Sequence, residues 1–176
     1  MPFNHIAFAT KDIDATHRFY TEAMGFRLAK VVAAPTPGDT GWARHVFYDC
    51  GDGEYIAFWD LHDPTLTEFS TDISTGVGLP QWVNHLAWDG VDEDTYQSHL
   101  RRWREHGLFV AEVDHGFCKS IYTTDPNGIM VEFCLMTRVL GEQDEAEARA
   151  LLTAERPELE EAPPVVIHEP FVPADA

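Results

Sequence analysis

The sequence predicts an α+β fold made of two βαβββ modules, with a helix and a tail after the second. A pattern of strand, helix and three strands occurs twice along the chain, with an offset of about eighty residues. The two copies also begin alike, because NHIAFAT near the start is matched by NHLAWDG further on. With 176 residues, the chain has the length of one domain or of two half-size modules that share a core.

The first module begins with a strand and a helix. Apolar and small residues alternate over Phe3–Thr10, which predicts a strand. Asp12 or Asp14 can cap a helix that runs to about Met24, and Gly25 ends it. Three more strands complete the module, with a Pro/Gly-rich loop at Ala34–Gly41 between the first two of them; they are Phe26–Val32, His45–Cys50 and Tyr55–Trp59.

The second module repeats this order of elements. A strand is predicted at Trp82–Asp89, and a helix from about Glu93 to His106 ends at Gly107. The remaining strands are Leu108–Val113, Lys119–Thr124 and Ile129–Leu135. These assignments divide the chain into a first module at 1–61, a linker at 62–80, a second module at 81–137, and an acidic helix with a Pro-rich tail at 138–176.

The composition of the C-terminal segment leaves its packing open. A short acidic helix is predicted from about Glu142 to Glu155, and a Pro-rich segment follows it. Such a tail is either disordered or packed, and a packed tail can also wrap around a partner subunit. Four apolar residues that a free tail does not need favour packing, namely Val165, Val166, Ile167 and Phe171.

Charge and hydropathy exclude several classes of partner. A formal net charge of −18 repels the phosphates of a nucleic acid, so we expect no nucleic-acid binding. No apolar run approaches the length of a membrane span, and no secretory signal is visible at the N-terminus, so we expect no membrane association. Three cysteines at irregular spacing indicate reduced thiols and a cytoplasmic protein.

Two histidines hold the same place in the two modules. His5 and His85 are each preceded by Asn and followed by an aliphatic residue and Ala. Because side chains alternate along a strand, His5 shares its face with Ala7 and Ala9, while the larger apolar residues lie on the other face. His85 is expected to lie in the same way in the second module. Each imidazole is therefore predicted to point away from the apolar layer, into a space typical of a binding site.

A carboxylate in the last strand completes the candidate site. Glu132 interrupts the apolar run Ile129–Leu135 and lies on the face opposite Val131 and Phe133. Burying a carboxylate is costly unless its charge is compensated, and a divalent cation bound also by the two histidines compensates it. Two His and one carboxylate with open positions are typical of a non-haem Fe(II) centre, and Mn, Zn or Ni can use the same ligands. These three residues are the predicted metal ligands.

The same features carry a family resemblance. Paired βαβββ modules, a His on each first strand and the sequence TDPNGIMVEF near the end of the second module resemble the vicinal oxygen chelate superfamily. This group includes glyoxalase I, bleomycin- and fosfomycin-resistance proteins and the type I extradiol ring-cleaving dioxygenases. The resemblance covers about residues 3–136 and leaves the tail outside it. It implies a half-open barrel of mixed sheets around one metal ion, a small-molecule substrate and a homodimer.

Within the superfamily, the residues resemble the extradiol dioxygenases more than the glyoxalases. Ala57 stands where glyoxalase-like members usually have a fourth, carboxylate ligand. Tyr122 stands ten residues before Glu132, as in extradiol enzymes, and His115 lies near the position of one of their further histidines. Glu54 replaces their acid–base histidine, which is a departure from the pattern. The resemblance thus implies catalytic roles for His115, Tyr122 and Glu54.

The direction of Tyr122 depends on the turn before the last strand. A four-residue loop at Asp125–Gly128 pairs Ile121 with Glu132 and aims Tyr122 at the helices. A three- or five-residue loop, or a bulge, turns Tyr122 towards the metal instead. Three ring-bearing side chains are predicted to contact the substrate, and they are His45, Trp82 and Phe117.

Three functions are compatible with these predictions, in decreasing order of preference. The first is an Fe(II)-dependent dioxygenase of extradiol type that acts on a small catecholic or vicinal-oxygen substrate. The second is a metal-dependent lyase, isomerase or transferase of glyoxalase type, whose turnover is indifferent to oxygen. The third is a resistance protein that binds a small molecule without turnover.

Overall fold

A computed structural model describes residues 3–171 and shows two mixed sheets and three α-helices, which confirms the predicted α+β class. The strands are β1 (His5–Thr10), β2 (Arg27–Pro35), β3 (Trp42–Gly51), β4 (Glu54–His62), β5 (His85–Asp89), β6 (Val110–Asp114), β7 (Cys118–Thr124), β8 (Met130–Met136) and β9 (Val165–His168). The helices are α1 (Ile13–Arg18), α2 (Glu93–Glu105) and α3 (Glu142–Thr153), with a π-helical turn at Phe19–Ala23 and a 3-10 turn at Thr75–Val77. Within the described residues, none of these helices has the length and hydropathy needed to cross a membrane.

Each predicted module supplies one sheet. The first sheet has the strand order β1-β4-β3-β2, in which β1 runs parallel to β4 and the other neighbours are antiparallel. The second sheet has the order β5-β8-β7-β6-β9, so its first four strands repeat the order of the first sheet. The internal repeat predicted from the sequence is therefore confirmed. Both are open sheets with two edge strands, which is compatible with the predicted half-open arrangement.

The chain divides into two compact units that do not coincide with the two repeats. The first unit comprises the residues up to Leu86 together with Thr124–Val131. The second unit comprises Ala87–Thr123 together with the residues from Glu132 onward. The turn between β7 and β8 thus belongs to the first unit, although it lies in the second module of the sequence. The module boundaries drawn from the sequence stay predictions.

The first helical segment covers the predicted range, but its type changes from α to π along the way. α1 is capped by the side chain of Asp12, as expected, but it ends at Arg18 and the chain continues through the π-helical turn. The π-helical turn is closed by a hydrogen bond of 2.9 Å from the Met24 amide to the Phe19 carbonyl. Gly25 follows with φ of 79°, the left-handed conformation at which helices commonly end on glycine.

The core of the first unit lies on one face of its sheet. Tyr20, Tyr48 and Phe58 are fully buried, and the rings of Tyr20 and Phe58 are 4.8 Å apart. Because side chains alternate along β1, β3 and β4, this packing leaves the opposite face, which carries His5, away from the core.

The turn between β7 and β8 is held by a buried carboxylate. Asp125 is 4% exposed and accepts hydrogen bonds from the Tyr20 hydroxyl (3.0 Å) and from the amides of Asn127 and Ile129 (2.8 Å each). Burial raises the pKa of Asp125, while these hydrogen bonds favour its ionised form and oppose the rise. The Asp125 amide donates to the Ile129 carbonyl at 2.9 Å, so the turn contains three residues between this pair.

Replacing Tyr20 with phenylalanine is expected to lower the free energy of unfolding by about 1–3 kcal/mol, because it removes a donor from a buried carboxylate. Urea denaturation measures this difference. Tyr55→Phe is the matched control at a half-buried position of β4, and its effect is expected to stay within about 0.5 kcal/mol. Equal losses in the two variants would show that the Tyr20–Asp125 bond contributes little.

The C-terminal tail packs against the second unit, as its four apolar residues predict. β9 pairs antiparallel with β6, and Ile167 lies opposite Ala111. Glu112 accepts a hydrogen bond of 2.7 Å from Nε2 of His168, the last residue of β9. The guanidinium of Arg104 on α2 lies 3.9 Å from the centre of the Phe171 ring. These contacts anchor the C-terminal end of the added strand and the residues that follow it.

Candidate metal and acid–base site

His5 lies on the open face of the first sheet, as the alternation of β1 predicts. In register, His5 is opposite Tyr55, and Ala7 is opposite Ala57. On β3 of the same face, Phe47 is opposite Ala57, and the rings of His5 and Phe47 are 5.5 Å apart. Small residues beside the imidazole therefore leave space on this face. Ala57 stands there without a carboxylate, in agreement with the absent fourth ligand of the sequence analysis.

Hydrogen bonds fix the same tautomer in both predicted histidine ligands. Nδ1 of His5 is 2.8 Å from the side-chain oxygen of Asn4, and Nδ1 of His85 is 3.1 Å from the carbonyl oxygen of Trp82. Both oxygens are acceptors, so each Nδ1 carries the proton and each neutral ring has its lone pair on Nε2. Orientation of one ring nitrogen by a neighbouring acceptor is the usual second contact of a metal-binding histidine.

Tyr122 lies directly opposite Glu132 in the hairpin of β7 and β8. At one end of the hairpin the Asp125 amide bonds to the Ile129 carbonyl, and at the other end the Thr137 amide bonds to the Phe117 carbonyl. Both bonds give the same register, and counting along it pairs Tyr122 with Glu132. The two side chains form a hydrogen bond with each other. The three-residue turn therefore directs Tyr122 to the face of the predicted ligand.

His115 extends this pair into a chain of three polar side chains. Its Nε2 is 3.1 Å from the Tyr122 hydroxyl. When that hydroxyl donates to Glu132, its oxygen accepts from His115. Burial, and then the negative charge of Glu132, raise the pKa of Tyr122 to about 12, against an opposing hydrogen bond with Ser120. Tyr122 thus keeps its proton at neutral pH and is suited to donate it to a substrate oxygen.

Glu132 is buried although it carries a carboxylate. It is 5% exposed, between the buried residues Val131 and Phe133 of β8. Those two apolar side chains project from the other face of the strand, which agrees with the alternation that the sequence predicts. The hydrogen bond from Tyr122 compensates part of the cost of burying this charge, and a bound cation is suited to compensate more of it.

Comparisons with known proteins identify the superfamily of the chain. A family model of the Glyoxalase/Bleomycin resistance protein/Dioxygenase superfamily matches residues 3–133. The chain belongs to this superfamily. No curated protein sequence gives a significant match.

Solved structures of the glyoxalase superfamily share the fold at low sequence identity. A glyoxylase/bleomycin resistance protein/dioxygenase domain from Frankia sp. EAN1pec has a TM-score of 0.54 and 18% identity, covering 77% of this chain and 98% of its own. The fosfomycin resistance protein FosX from Listeria monocytogenes has a TM-score of 0.52 and 16% identity, covering 78% and 94%. TnmS3, an antibiotic binding protein from Streptomyces sp. CB03234, has a TM-score of 0.51 and 18% identity, covering 78% and 97%.

Superfamily members are typically dependent on a divalent metal ion. His5 and His85 belong to the first compact unit of this chain, and Glu132 belongs to the second. Among residues 3–171, no three side chains of His, Cys, Asp or Glu lie close enough together to hold a metal ion. The joint role of the three residues as ligands therefore stays a prediction.

His45 lies beside His5 on the open face of the first sheet. Their ring centres are 6.1 Å apart, and the His45 ring stacks on Trp59 at 3.8 Å with an angle of 10°. Burial, and then the neighbouring His5, lower the pKa of His45, which keeps its ring neutral at physiological pH. Its Nε2 is buried and has no hydrogen-bond partner among residues 3–171. Such an atom is a natural contact for a ligand hydroxyl, which can donate or accept.

Three other predicted residues lie outside these clusters. Glu54 begins β4 and shares its face with Ile56, opposite to the face of His5, so its position lends no support to a catalytic role. Trp82 precedes β5 instead of lying in it, and it is 67% exposed. Phe117 lies in the turn before β7 and is 41% exposed, with its ring 6.3 Å from that of His115. Their roles stay predictions.

Two positioning residues were missed by the sequence analysis. Asn4 orients His5, and Ser120 contacts the hydroxyl of Tyr122. The Asn that precedes each histidine was a visible signal, since it occurs in both repeats. In the second repeat Asn84 acts differently, because its side chain donates to the carbonyl of Ile73 at 2.7 Å. Ser120 gives no sequence signal, since a buried serine in a strand is common.

Proposed function

We propose that this protein is a divalent-metal-dependent enzyme that acts on a small substrate with two adjacent oxygens, by oxygen-dependent cleavage of extradiol type. The observation that carries the proposal is the chain of His115, Tyr122 and Glu132. It joins a proton donor and a titratable imidazole to a buried carboxylate in a superfamily of metal-dependent enzymes. Fe(II) is the favoured ion, with Mn, Zn or Ni as alternatives.

The donor set fits a hard or borderline divalent cation. His5 and His85 each have the lone pair on Nε2, and Glu132 supplies a buried carboxylate oxygen. Two imidazoles and one carboxylate are the ligands that such ions accept. When bound, the ion supplies Lewis acidity towards two substrate oxygens and a common site for substrate and oxygen.

The remaining residues of the site handle protons and orient the substrate. When a substrate oxygen replaces Glu132 as the acceptor, Tyr122 donates its single proton to that oxygen, and His115 resupplies the proton across 3.1 Å. His45 provides a second, neutral imidazole on the His5 face, where its stacking on Trp59 fixes the plane of the ring. A planar catecholic substrate suits this aromatic environment, since flat rings stack favourably.

Oxygen uptake tests the proposal directly. After anaerobic loading with Fe(II), we expect the protein to consume oxygen when catechol or a substituted catechol is added, with the yellow colour of a ring-cleaved product. The metal-free protein is the control. Turnover that proceeds at the same rate without oxygen, or with Zn or Mn in place of iron, would instead support a lyase, isomerase or transferase.

A second candidate is the binding of a planar small molecule without turnover. The stacked rings of His45 and Trp59, with Phe47 at 4.2 Å from His45, favour it. Structural neighbours named as resistance and antibiotic-binding proteins keep this candidate open. Metal content decides between the two proposals. Tight binding of a planar ligand by a protein that takes up no metal after chelation and reloading would support binding alone.

The proposal includes a homodimer in a reducing cytoplasm. All three cysteines are free thiols, which suits a reducing compartment. Sedimentation of the full chain measures the oligomeric state.

A further inference from the structure

The C-terminal tail widens the sheet face that carries Glu132. Tyr122 lies opposite Glu132, Ala111 lies opposite Tyr122, and Ile167 lies opposite Ala111. These four residues form one row across β8, β7, β6 and β9, and residues in one row project from the same face. Ile167 therefore lies on the face of the candidate site, three strand spacings or about 14 Å from Glu132.

The far end of this row is apolar and open. Ile167 is 60% exposed, and Val165, on the same face of β9, is 57% exposed. The small side chain of Ala111 lies between Ile167 and Tyr122, so no bulky group separates Ile167 from the site along this row. Branched apolar side chains gain free energy when an apolar group covers them.

β9 is an addition of this chain to the shared fold, and it is firmly anchored. The family model ends at residue 133, well before the strand. His168 is bound to Glu112 at 2.7 Å, and the Phe171 amide donates to the Arg104 carbonyl at 3.0 Å. These contacts set the position of Ile167 within a strand whose register is fixed.

We propose that Val165 and Ile167 form an apolar wall for the part of the substrate that projects away from its two oxygens. This inference rests on the proposed function, which puts those oxygens beside Glu132 and Tyr122. The substrate class is then a vicinal oxygen compound with an apolar substituent, such as an alkyl-substituted catechol. A negatively charged substituent is disfavoured, because the wall offers it no donor and the chain carries a formal charge of −18.

Binding of a homologous series tests the wall. By calorimetry under anaerobic conditions, we expect the Fe(II)-loaded full chain to bind 4-alkylcatechols about threefold more tightly for each methylene that is added once the alkyl chain is long enough to reach Ile167. Ile167→Ser is expected to flatten this dependence to less than about 1.5-fold for each methylene. Val166→Ser is the matched control, because Val166 is on the same strand and 52% exposed but lies opposite Glu112, on the other face.

Each outcome assigns the wall or overturns it. If the affinity gained for each methylene is the same in Ile167→Ser and Val166→Ser, the wall is overturned. If the wild-type protein is a dimer and Ile167→Ser dissociates it without changing the affinities for the alkylcatechols, the proposal is overturned, because Ile167 then contacts a second copy of the chain. If no catechol binds, the proposed function fails. Binding of the neutral apolar dye N-phenyl-1-naphthylamine then tests the wall independently of that function. Weaker dye binding in Ile167→Ser alone then supports the wall, and equal binding in both variants rejects it.

Discussion

Replacing Glu132 with glutamine is expected to weaken divalent metal binding by on the order of 100-fold or more, because the amide oxygen carries no net charge to balance the cation. The same change is expected to leave the metal-free protein as stable as the wild type or more stable, since it removes a buried charge. Metal content after chelation and reloading, with competition against a chelator, measures the first effect. Thermal unfolding of the metal-free proteins measures the second.

Glu112→Gln is the matched control for this experiment. Glu112 is a half-buried carboxylate on β6 of the same sheet, and it is bonded to His168 and Tyr96 on the face opposite Glu132. We expect this control to retain full metal binding and to loosen the tail. Alanine at His5 or His85 is expected to act like Glu132→Gln. Full metal occupancy in any of these three variants would remove that residue from the ligand set.

Replacing Tyr122 with phenylalanine is expected to lower kcat by about 10²- to 10⁴-fold, the range typical of a lost proton donor or acceptor. Metal binding is expected to persist, because the hydroxyl is not among the predicted ligands. The pKa of about 12 holds Tyr122 protonated through the physiological range, so the wild-type rate has no inflection from Tyr122 near neutral pH. Oxygen-electrode rates with a catechol measure the loss.

Tyr96→Phe is the control for a lost hydroxyl. Tyr96 also donates to a glutamate, Glu112, at 3.1 Å, but it lies on α2 behind the sheet. We expect it to change stability and not kcat. The kcat of His115→Gln is expected to lie between those of Tyr122→Phe and Tyr96→Phe. Glutamine keeps a donor towards Tyr122, but a glutamine side chain cannot gain or lose a proton as an imidazole does. A Tyr122→Phe rate equal to that of Tyr96→Phe would remove Tyr122 from the proton-transfer step.

Most predictions from the sequence rest on patterns among residues that lie close together in the chain. The period of two in β1 and β8 correctly assigned His5 and Glu132 to the faces opposite their apolar neighbours. The tail packs as predicted, but through backbone pairing of β9 with β6, while its four apolar side chains stay 43–60% exposed. The first helical segment ends near Met24 as predicted, but the sequence pattern did not show that its last turn is a π-turn.

The direction of Tyr122 required the tertiary structure. A one-residue change in the turn moves every side chain of a strand to the opposite face, and the sequence around Asp125 was compatible with either register. The turn that sets the register is closed by bonds of Asp125 with Asn127 and Ile129. The same carboxylate also accepts a hydrogen bond from Tyr20, 105 residues away in the chain, and local patterns contain no information on that contact. The sequence therefore proposed roles for His115, Tyr122 and Glu132 but did not predict that they meet.

By itself, the sequence determined the two repeats, the superfamily, and the strand faces on which His5 and Glu132 lie, because each of these depends on residues close together in the chain. Only the tertiary structure decided which strand the tail joins and which way Tyr122 points. The pairing of β9 with β6 joins distant segments, and it is selected by the packing of the whole unit. The direction of Tyr122 depends on the register of one hairpin, which a one-residue change in its turn reverses.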